Sequence, residues 1–249
     1  MLRPPFARPR RARDEAEKPF WISFSDLMTA LMVLFLVAMA VALMGVTQGL
    51  RKIEDTRKHR EETIQSCIAD IDQIAQKPEF KGVKVRGQTI DFGPLAEFRK
   101  NGNDLSPERM AFLRSFVPQV LEVARHPNCQ KWLKRFVVEG FASQEGSYLY
   151  NLNLSLARSQ RVLCVLLDAS AHNAPSQSDR QLIRQLFLVG GSSFNAAILD
   201  NPEKSRRVEL RLEFKELRQD CRAGDTACQS DTPPPIPWDE DVKCPLAGQ

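Results

Sequence analysis

The sequence predicts a single N-terminal transmembrane helix followed by one α/β domain whose elements follow the order βαβαββ. Only one charged residue, Asp26, interrupts the chain between Pro19 and Leu50. Beyond residue 79, short stretches of β-type alternation alternate with longer helical patterns. With 43% apolar and 27% charged residues, the composition is typical of a globular chain. We therefore divide the chain into a basic tail (1–19), a transmembrane helix (20–45), a helical linker (46–78), a domain (79–215) and a tail (216–249).

The apolar stretch from Phe24 to Met44 is long enough to cross a bilayer. Its 21 residues span roughly 30 Å at about 1.5 Å per residue, which is the thickness of the hydrocarbon core. Phe20 and Trp21 precede it, where aromatic side chains favour the membrane interface. The run is too long for the apolar part of a signal peptide, and no clear cleavage site follows Ala42. The sequence thus favours a retained anchor.

The distribution of charge predicts the orientation of this helix. Residues 1–19 hold six cations and three acids, whereas the segment after the helix mixes both signs. The positive-inside rule therefore places the N-terminus in the cytoplasm and residues 51–249 across the membrane. Beyond the tail the chain is nearly neutral and has no basic stripe with interleaved aromatic residues, so we expect no direct contact with nucleic acid.

The cysteines agree with this orientation, because all six follow the helix. An even number of cysteines in an oxidising compartment suggests disulfides, although the sequence leaves their pairing open. The short spacing from Cys221 to Cys228, and the position of Cys244 beyond a proline-rich run, suggest that the tail is pinned covalently. The disulfide candidates are Cys67, Cys129, Cys164, Cys221, Cys228 and Cys244.

Asp26 is a costly residue in this position. An ionised carboxylate in hydrocarbon costs about 2.5–3.5 kcal/mol on insertion scales, unless Asp26, close to Trp21, stays wet at the interface. Its helical face favours burial among helices, since small residues allow close approach. That face carries Thr29, Ala30, Val33, Val37 and Ala40. We expect Asp26 to point into a helix bundle completed by a polytopic partner, where desolvation favours its protonated form.

A carboxyl group that ionises only when it faces water can load and release a proton on alternate sides of a membrane. The membrane potential contributes about 2.3 kcal/mol per charge per 100 mV, and each pH unit about 1.4 kcal/mol, which is comparable with the cost of ionisation. We predict that Asp26 carries protons and that no cofactor is needed. Ser25 and Thr29 are its neighbours along the ion path. Their two oxygens would also suit sodium, so the coupling ion stays open.

The segment PFWISFSDLMTALMVLFLVAMAVAL, residues 19–43, resembles the single helix of the MotB, TolR and ExbD stator family. The residues that fall in family order are Trp21, Ser25, Asp26, Leu27, Met28 and Thr29. The resemblance implies a homodimer in a bacterial inner membrane, with both helices inside a ring of MotA-like subunits and Asp26 as proton carrier. It also offers a second interpretation of residues 46–78, as a plug or dimer-forming stalk instead of a plain linker.

The elements of the domain follow from local signals. The segment VKVRGQTIDFG, residues 83–93, predicts one strand, and residues 136–139, 186–189 and 207–214 predict three more. Ser106, Pro107 and Glu108 predict a helix start, because they supply an N-cap, a first-turn proline and a first-turn acid. That helix runs to about Arg125, and a second helix covers residues 148–167.

No catalytic or metal-binding pattern accompanies these elements. His59, His126 and His172 are isolated, and neither a phosphate-binding glycine loop nor a nucleophile elbow is present. Cys129 and Cys164 are more typical of a disulfide or of core thiols than of a nucleophile. We therefore expect neither an enzyme nor a metal site.

Residues 138–167, VEGFASQEGSYLYNLNLSLARSQRVLCVLL, resemble the OmpA-like peptidoglycan-binding domain. Positions that match its motif are Asn151, Leu154, Ser155, Arg158, Val162 and Leu166, and the later SRRVELRL adds Arg206 and Arg207. The resemblance covers about residues 80–215 and implies an OmpA-like fold. It also implies that Arg158 binds the carboxylate of diaminopimelate in the peptide stem through a charge-assisted contact.

The chain departs from that motif at one position that matters. Where the family has His-Thr-Asp after a glycine, this chain has Phe141, Ala142 and Ser143, so the aspartate that pairs with the stem's ammonium is missing. Glu145 is a candidate substitute, and Tyr148 and Tyr150 either share the contact or pack on the domain. The predicted peptidoglycan site comprises Ser143, Tyr148, Tyr150, Asn151, Leu154, Arg158 and Arg206.

Together these features predict a peptidoglycan-anchored stator subunit of a proton-driven motor. The altered motif and the cysteine-bearing, proline-rich tail resemble the MotB-like ZorB subunits of Zorya anti-phage defence systems more than flagellar MotB. A flagellar stator subunit and a passive membrane-to-wall anchor remain as alternatives. A TolR- or ExbD-like role is disfavoured, because those proteins carry smaller periplasmic domains of another kind.

Overall fold

A computed structural model describes residues 14–216 and 244–246. The predictions for the basic tail before residue 14, and for Cys221 and Cys228, lie outside these residues. The chain divides into two compact units, Met1–Lys58 and His59–Gln249.

The described part of the first unit is the leading part of helix α1, which runs without a break from Asp14 to Ala75. One stretch of this helix is long and apolar enough to cross a membrane. Every described side chain from Ser23 to Lys58 is exposed in the single chain. An exposed run that includes Leu31, Leu34 and Phe35 requires lipid or protein around it.

The second unit begins inside helix α1. Ile64, Cys67, Ile71 and Ala75 are buried in its core, and their spacing of three or four residues places them on one helical face. The domain boundary therefore differs from the one expected at residue 79. Helical periodicity identifies an apolar face, but it does not reveal whether that face meets a second chain or the chain's own domain.

A five-stranded sheet forms the centre of this unit. Its strands are β1 (Lys84–Arg86), β2 (Thr89–Asp91), β3 (Leu133–Gly140), β4 (Phe187–Gly191) and β5 (Val208–Phe214). Their order in the sheet is β1-β2-β5-β3-β4, and only the β3/β4 pair is parallel. The segment expected to form one strand is instead the β1/β2 hairpin. Its turn contains Gly87 at a φ of 56°, a conformation that glycine adopts without strain.

Two short 3₁₀ helices (Pro78–Phe80 and Gly93–Ala96) and five α-helices complete the described part of this unit. The α-helices are α2 (Pro107–Arg125), α3 (Pro127–Trp132), α4 (Tyr148–Leu167), α5 (Gln177–Leu186) and α6 (Pro202–Ser205). Serine side chains cap α2, α4 and α5, as Ser106 was expected to do for α2. Helix α4 packs against β3 and β4. The predicted fold class, one apolar N-terminal helix and an α/β domain, is confirmed. Helices α3, α5 and α6 and the extra strand were not predicted.

Two disulfides join segments of this unit that are distant in the sequence. Cys67 in α1 pairs with Cys129 in α3, and Cys164 in α4 pairs with Cys244. The second bond confirms that the tail is pinned covalently. Arg161 adds a hydrogen bond of 3.2 Å from its guanidinium to the Leu246 carbonyl oxygen. The C-terminal residues 244–246 are thus held against α4.

Candidate functional site

Asp26 lies in a shallow groove along helix α1. The residues that line it are Asp26, Thr29, Ala30, Val33, Leu34 and Val37, which includes most of the small face expected around the carboxylate. The Thr29 hydroxyl donates to the Ser25 carbonyl oxygen at 2.7 Å. A hydroxyl satisfied within its own helix carries little cost in lipid. The groove leaves room for a second helix to approach the carboxyl group.

In the second unit, Arg158 holds the centre of the predicted peptidoglycan site and is completely buried. Its guanidinium donates to the main-chain oxygens of Phe141 at 2.7 Å, Gly102 at 3.0 Å and Arg99 at 3.2 Å. No carboxylate among residues 14–216 and 244–246 forms an ion pair with it. Burial lowers the pKa of Arg158 to about 10, and the charge of Arg206 acts in the same direction. The side chain still carries its charge at neutral pH.

Arg158 therefore lies beneath the surface, whereas the motif suggested a side chain in direct contact with the peptide stem. Because Arg158 has no exposed surface, a ligand carboxylate reaches the guanidinium only after some of the groups that cover it have moved. In the conformation described, Arg158 fastens the loop that contains Arg99 and Gly102 to the end of strand β3 at Phe141. Its direct contact with a peptide stem stays a prediction, and its structural contribution is a buried cation that shapes the surface above it.

Asn151 and Ser143 are also buried. The Asn151 amide donates to the carbonyl oxygens of Glu145 at 2.8 Å and Ser147 at 3.1 Å, which fixes the turn ahead of α4. Gly146 in that turn has a φ of 95°, and this explains the glycine there. Ser143 brings no carboxylate to the loop. The charge of Glu145 meets Lys100 instead, in an ion pair of 2.9 Å at the surface.

The remaining predicted residues surround this loop at different depths. Tyr148 and Tyr150 are exposed, and Leu154 is partly buried. Arg206 donates to the Phe98 carbonyl oxygen at 3.2 Å and lies 3.9 Å from Glu203. The predicted residues therefore gather at one end of the domain, but they form two layers. Asn151, Arg158 and Arg206 lie beneath, and the tyrosines face solvent.

The loop that holds Arg158 was not predicted from the sequence. Arg99 and Gly102 lie 59 and 56 positions before Arg158 in the chain, so no local pattern links them. One available signal was the turn-forming Asn101-Gly102 pair beside two cations. Asn101 indeed has a φ of 56°. Elsewhere in residues 14–216 and 244–246, no group of three or more His, Cys, Asp or Glu side chains is placed to hold a metal ion.

Comparison with known proteins finds one matching family and two similar curated proteins. A family described as membrane MotB of the proton-channel complex MotA/MotB matches residues 7–48, the part that contains Asp26. The Zorya protein ZorB of Escherichia coli O139:H28 is 43% identical over 235 residues, which cover 93% of this chain and 94% of the relative. A second Zorya protein ZorB, from the Crooks strain of Escherichia coli, is 24% identical over 80% of this chain and 90% of its own length.

Solved structures with weaker similarity include two from other bacteria. The periplasmic domain of Helicobacter pylori MotB (residues 78–256 of that protein) is 14% identical, with a TM-score of 0.38, and covers 54% of this chain and 82% of its own. The OmpA-like domain of FopA1 from Francisella tularensis is 17% identical, with a TM-score of 0.35, and the covered shares are 54% and 82%.

Proposed function

The chain belongs to the ZorB family of Zorya proteins, and from this premise we propose that it is the wall-anchored stator subunit of a proton-driven motor in Zorya anti-phage defence. The observation that carries the proposal is the extent of the 43% identity, which runs through both units of the chain. One relative thus matches this chain over both the apolar helix and the domain. This favours the defence system over a flagellar stator subunit.

The membrane part of the proposal rests on Asp26. Two copies of helix α1 lie inside a ring of MotA-like or ZorA-like polytopic subunits in the bacterial inner membrane, with their N-termini in the cytoplasm. The groove along Thr29, Ala30 and Val33 receives a helix of the ring, because small side chains allow backbones to approach closely in lipid. Asp26 is protonated while it faces that helix, and it releases its proton when it faces water.

The domain supplies the stationary part of the motor by binding peptidoglycan. The contact surface consists of the Lys100–Glu145 ion pair and the exposed Tyr148 and Tyr150. Arg158 acts from below as a positioning residue, since its three hydrogen bonds hold the loops that present this surface. Lys100 offers a cation to a stem carboxylate, and Glu145 offers an acid to an ammonium group, which the buried Ser143 does not.

Asp26→Asn tests the motor against the passive anchor. We expect the variant to assemble with its ring partner but to lose proton flux in proteoliposomes and phage protection in cells, because an amide does not exchange a proton at Asp26. The matched control is Asp70→Asn, the same chemical change at an exposed position of α1, which should retain both activities. Full phage protection by the Asp26→Asn variant would favour the passive anchor.

Pull-down of the full chain on purified peptidoglycan tests the anchor. We expect wild type to sediment with peptidoglycan, and a Lys100→Ala/Glu145→Ala variant to sediment less, because both charges of the surface pair are removed. Leu188→Ala, an exposed residue on β4, serves as the control. Failure of wild type to sediment would contradict the proposed anchor.

A further inference from the structure

The first turn of α4 exposes an unusual amount of aromatic and apolar surface. Tyr148 is 45% exposed, Leu149 72% and Tyr150 48%. Tyr148 and Tyr150 are the only tyrosines in the chain. Scattered apolar residues at a surface need no explanation, but three large exposed side chains within one helical turn at the end of a domain form a candidate contact surface. Tyrosine suits such a surface, because its ring offers apolar area and its hydroxyl offers a hydrogen bond.

Tyr148 is also held in place from several directions. The Ser193 hydroxyl donates to the Tyr148 carbonyl oxygen at 2.9 Å. The Phe194 ring meets the Tyr148 ring edge to face, with centroids 5.6 Å apart. The Asn195 amide lies 3.5 Å from the Tyr148 hydroxyl oxygen. A ring fixed in this way loses little conformational entropy when a ligand packs on it.

The loop that supports Tyr148 is itself tightly determined. Ser193 adopts a φ of 52°, which is uncommon for a residue other than glycine. Its amide donates to the Ser155 hydroxyl at 3.0 Å, and its carbonyl oxygen accepts from the Ala142 amide at 2.8 Å. The second bond connects this loop directly to the loop of Ser143 and Glu145. The tyrosine ring therefore continues the surface proposed to bind peptidoglycan.

We propose that Tyr148, Phe194 and Asn195 form a subsite for an N-acetylated sugar ring of the glycan strand, separate from the contact with the peptide stem. The proposal rests on the proposed wall anchor and specifies which part of the wall this end of the domain binds. The C–H face of a pyranose ring is apolar and packs on an exposed aromatic face. The Tyr148 hydroxyl and the Asn195 amide supply neutral hydrogen-bonding groups for the sugar hydroxyls and the acetamido group.

Charge separates this subsite from the stem contact. The subsite consists of two aromatic rings and an amide, which suits a neutral sugar. The charged groups lie on the neighbouring loops, at Lys100 and Glu145, and these suit a stem that carries carboxylate and ammonium groups. One domain face thus offers an aromatic part to the glycan and an ionic part to the peptide.

The experiment uses the full chain in detergent micelles and three probes: intact peptidoglycan, glycan strands freed of peptides by an amidase, and chitotetraose. We expect wild type to bind all three. Tyr148→Ala should weaken binding to both peptide-free probes at least about five-fold, whereas Tyr148→Phe, which keeps the ring but loses the hydroxyl, should weaken it less, about two- to five-fold. Asn195→Ala should weaken binding about two- to five-fold. Leu188→Ala, similarly exposed on β4, should change nothing.

The outcomes separate the subsite from the anchor. If wild type binds intact peptidoglycan but neither peptide-free probe, the subsite is wrong and the anchor stands. If wild type does not bind intact peptidoglycan, both fail. Thermal unfolding checks that Tyr148→Ala is folded; if it is not, the exposed Asn195 decides, and unchanged binding by Asn195→Ala then overturns the subsite.

Discussion

Each of the two units of this chain contains one charged side chain that is costly to bury. The second unit buries its charge, whereas the first leaves its charge exposed. Arg158 is enclosed by its own domain and donates to three main-chain oxygens. Asp26 lies on an exposed helix, and within residues 14–216 and 244–246 no hydrogen bond or ion pair joins its carboxyl group to the chain. A charge that its own fold satisfies becomes part of the structure, whereas a charge without partners requires another molecule.

The largest expected effect tests whether Arg158 is structural. Arg158→Ala should lower the free energy of unfolding by about 3–5 kcal/mol, because three buried carbonyl oxygens lose their donor. Urea unfolding followed by circular dichroism measures this loss. Arg99→Ala is the matched control, since its side chain is exposed and the substitution keeps the carbonyl oxygen; we expect a change within about 0.5 kcal/mol. If Arg158→Ala kept wild-type stability but lost peptidoglycan binding, Arg158 would be a ligand contact instead.

A nearly equal effect is expected for Asp26 in the absence of its partner. Asp26→Leu should make insertion of the helix more favourable by up to about 3–4 kcal/mol, the value for a helix centre, because a charged side chain in the apolar stretch is replaced by an apolar one. A glycosylation-based insertion assay measures the difference. An unchanged insertion free energy would show that Asp26 stays wet at the interface, and would remove the contrast with Arg158.

The disulfide between α1 and α3 should contribute somewhat less. Replacing both Cys67 and Cys129 with serine should cost about 2–4 kcal/mol, because the bond closes a loop of 62 residues in the unfolded chain. Denaturant unfolding under oxidising conditions measures the cost, and reduction of the wild type should reproduce it in part. Equal stability of the variant and the oxidised wild type would show that packing of Ile64 and Ile71 alone holds the end of α1.

The smallest expected effect is the stability that the Asp179 carboxylate contributes and that is lost in acid. Burial raises the pKa of Asp179, but hydrogen bonds from Ser176 and Arg125, together with the charge of Arg125, outweigh it and lower the pKa below 3.8. The folded state therefore binds this proton less readily than the unfolded state. The resulting stabilisation is present above the unfolded pKa and is lost as the pH falls through the lowered value.

We accordingly expect Asp179→Asn to cost about 0.5–1 kcal/mol near neutral pH, a discounted figure because Arg125 is partly exposed. The difference from wild type should shrink toward zero in acid. Unfolding curves at several pH values between about 2 and 7 would check this. A cost that is independent of pH would show that Asp179 stabilises the domain through packing and not through its ion pair with Arg125.

Local features of the fold were predictable from the sequence. The apolar helix, the small face beside Asp26 and the serine cap of α2 depend on residues within a few positions of one another, so periodicity and spacing are sufficient. The β1/β2 hairpin was not predicted, because the alternating pattern continues on both sides of Gly87 and resembles one strand. Helix α5 was missed because it is short and mostly polar: only three of its ten residues are apolar, although those three lie on one helical face.

The sequence by itself determined that one carboxylate lies in an apolar helix and which residues share its face. It also determined which residues match a peptidoglycan-binding motif, but not their depth. Only the tertiary structure decided that Arg158 is buried, that α1 ends inside the domain, and that Cys164 pairs with Cys244. The physical reason is distance along the chain: the oxygens that hold Arg158 come from Phe141, 17 positions away, and from Gly102 and Arg99, 56 and 59 positions away. Folding alone brings such partners together.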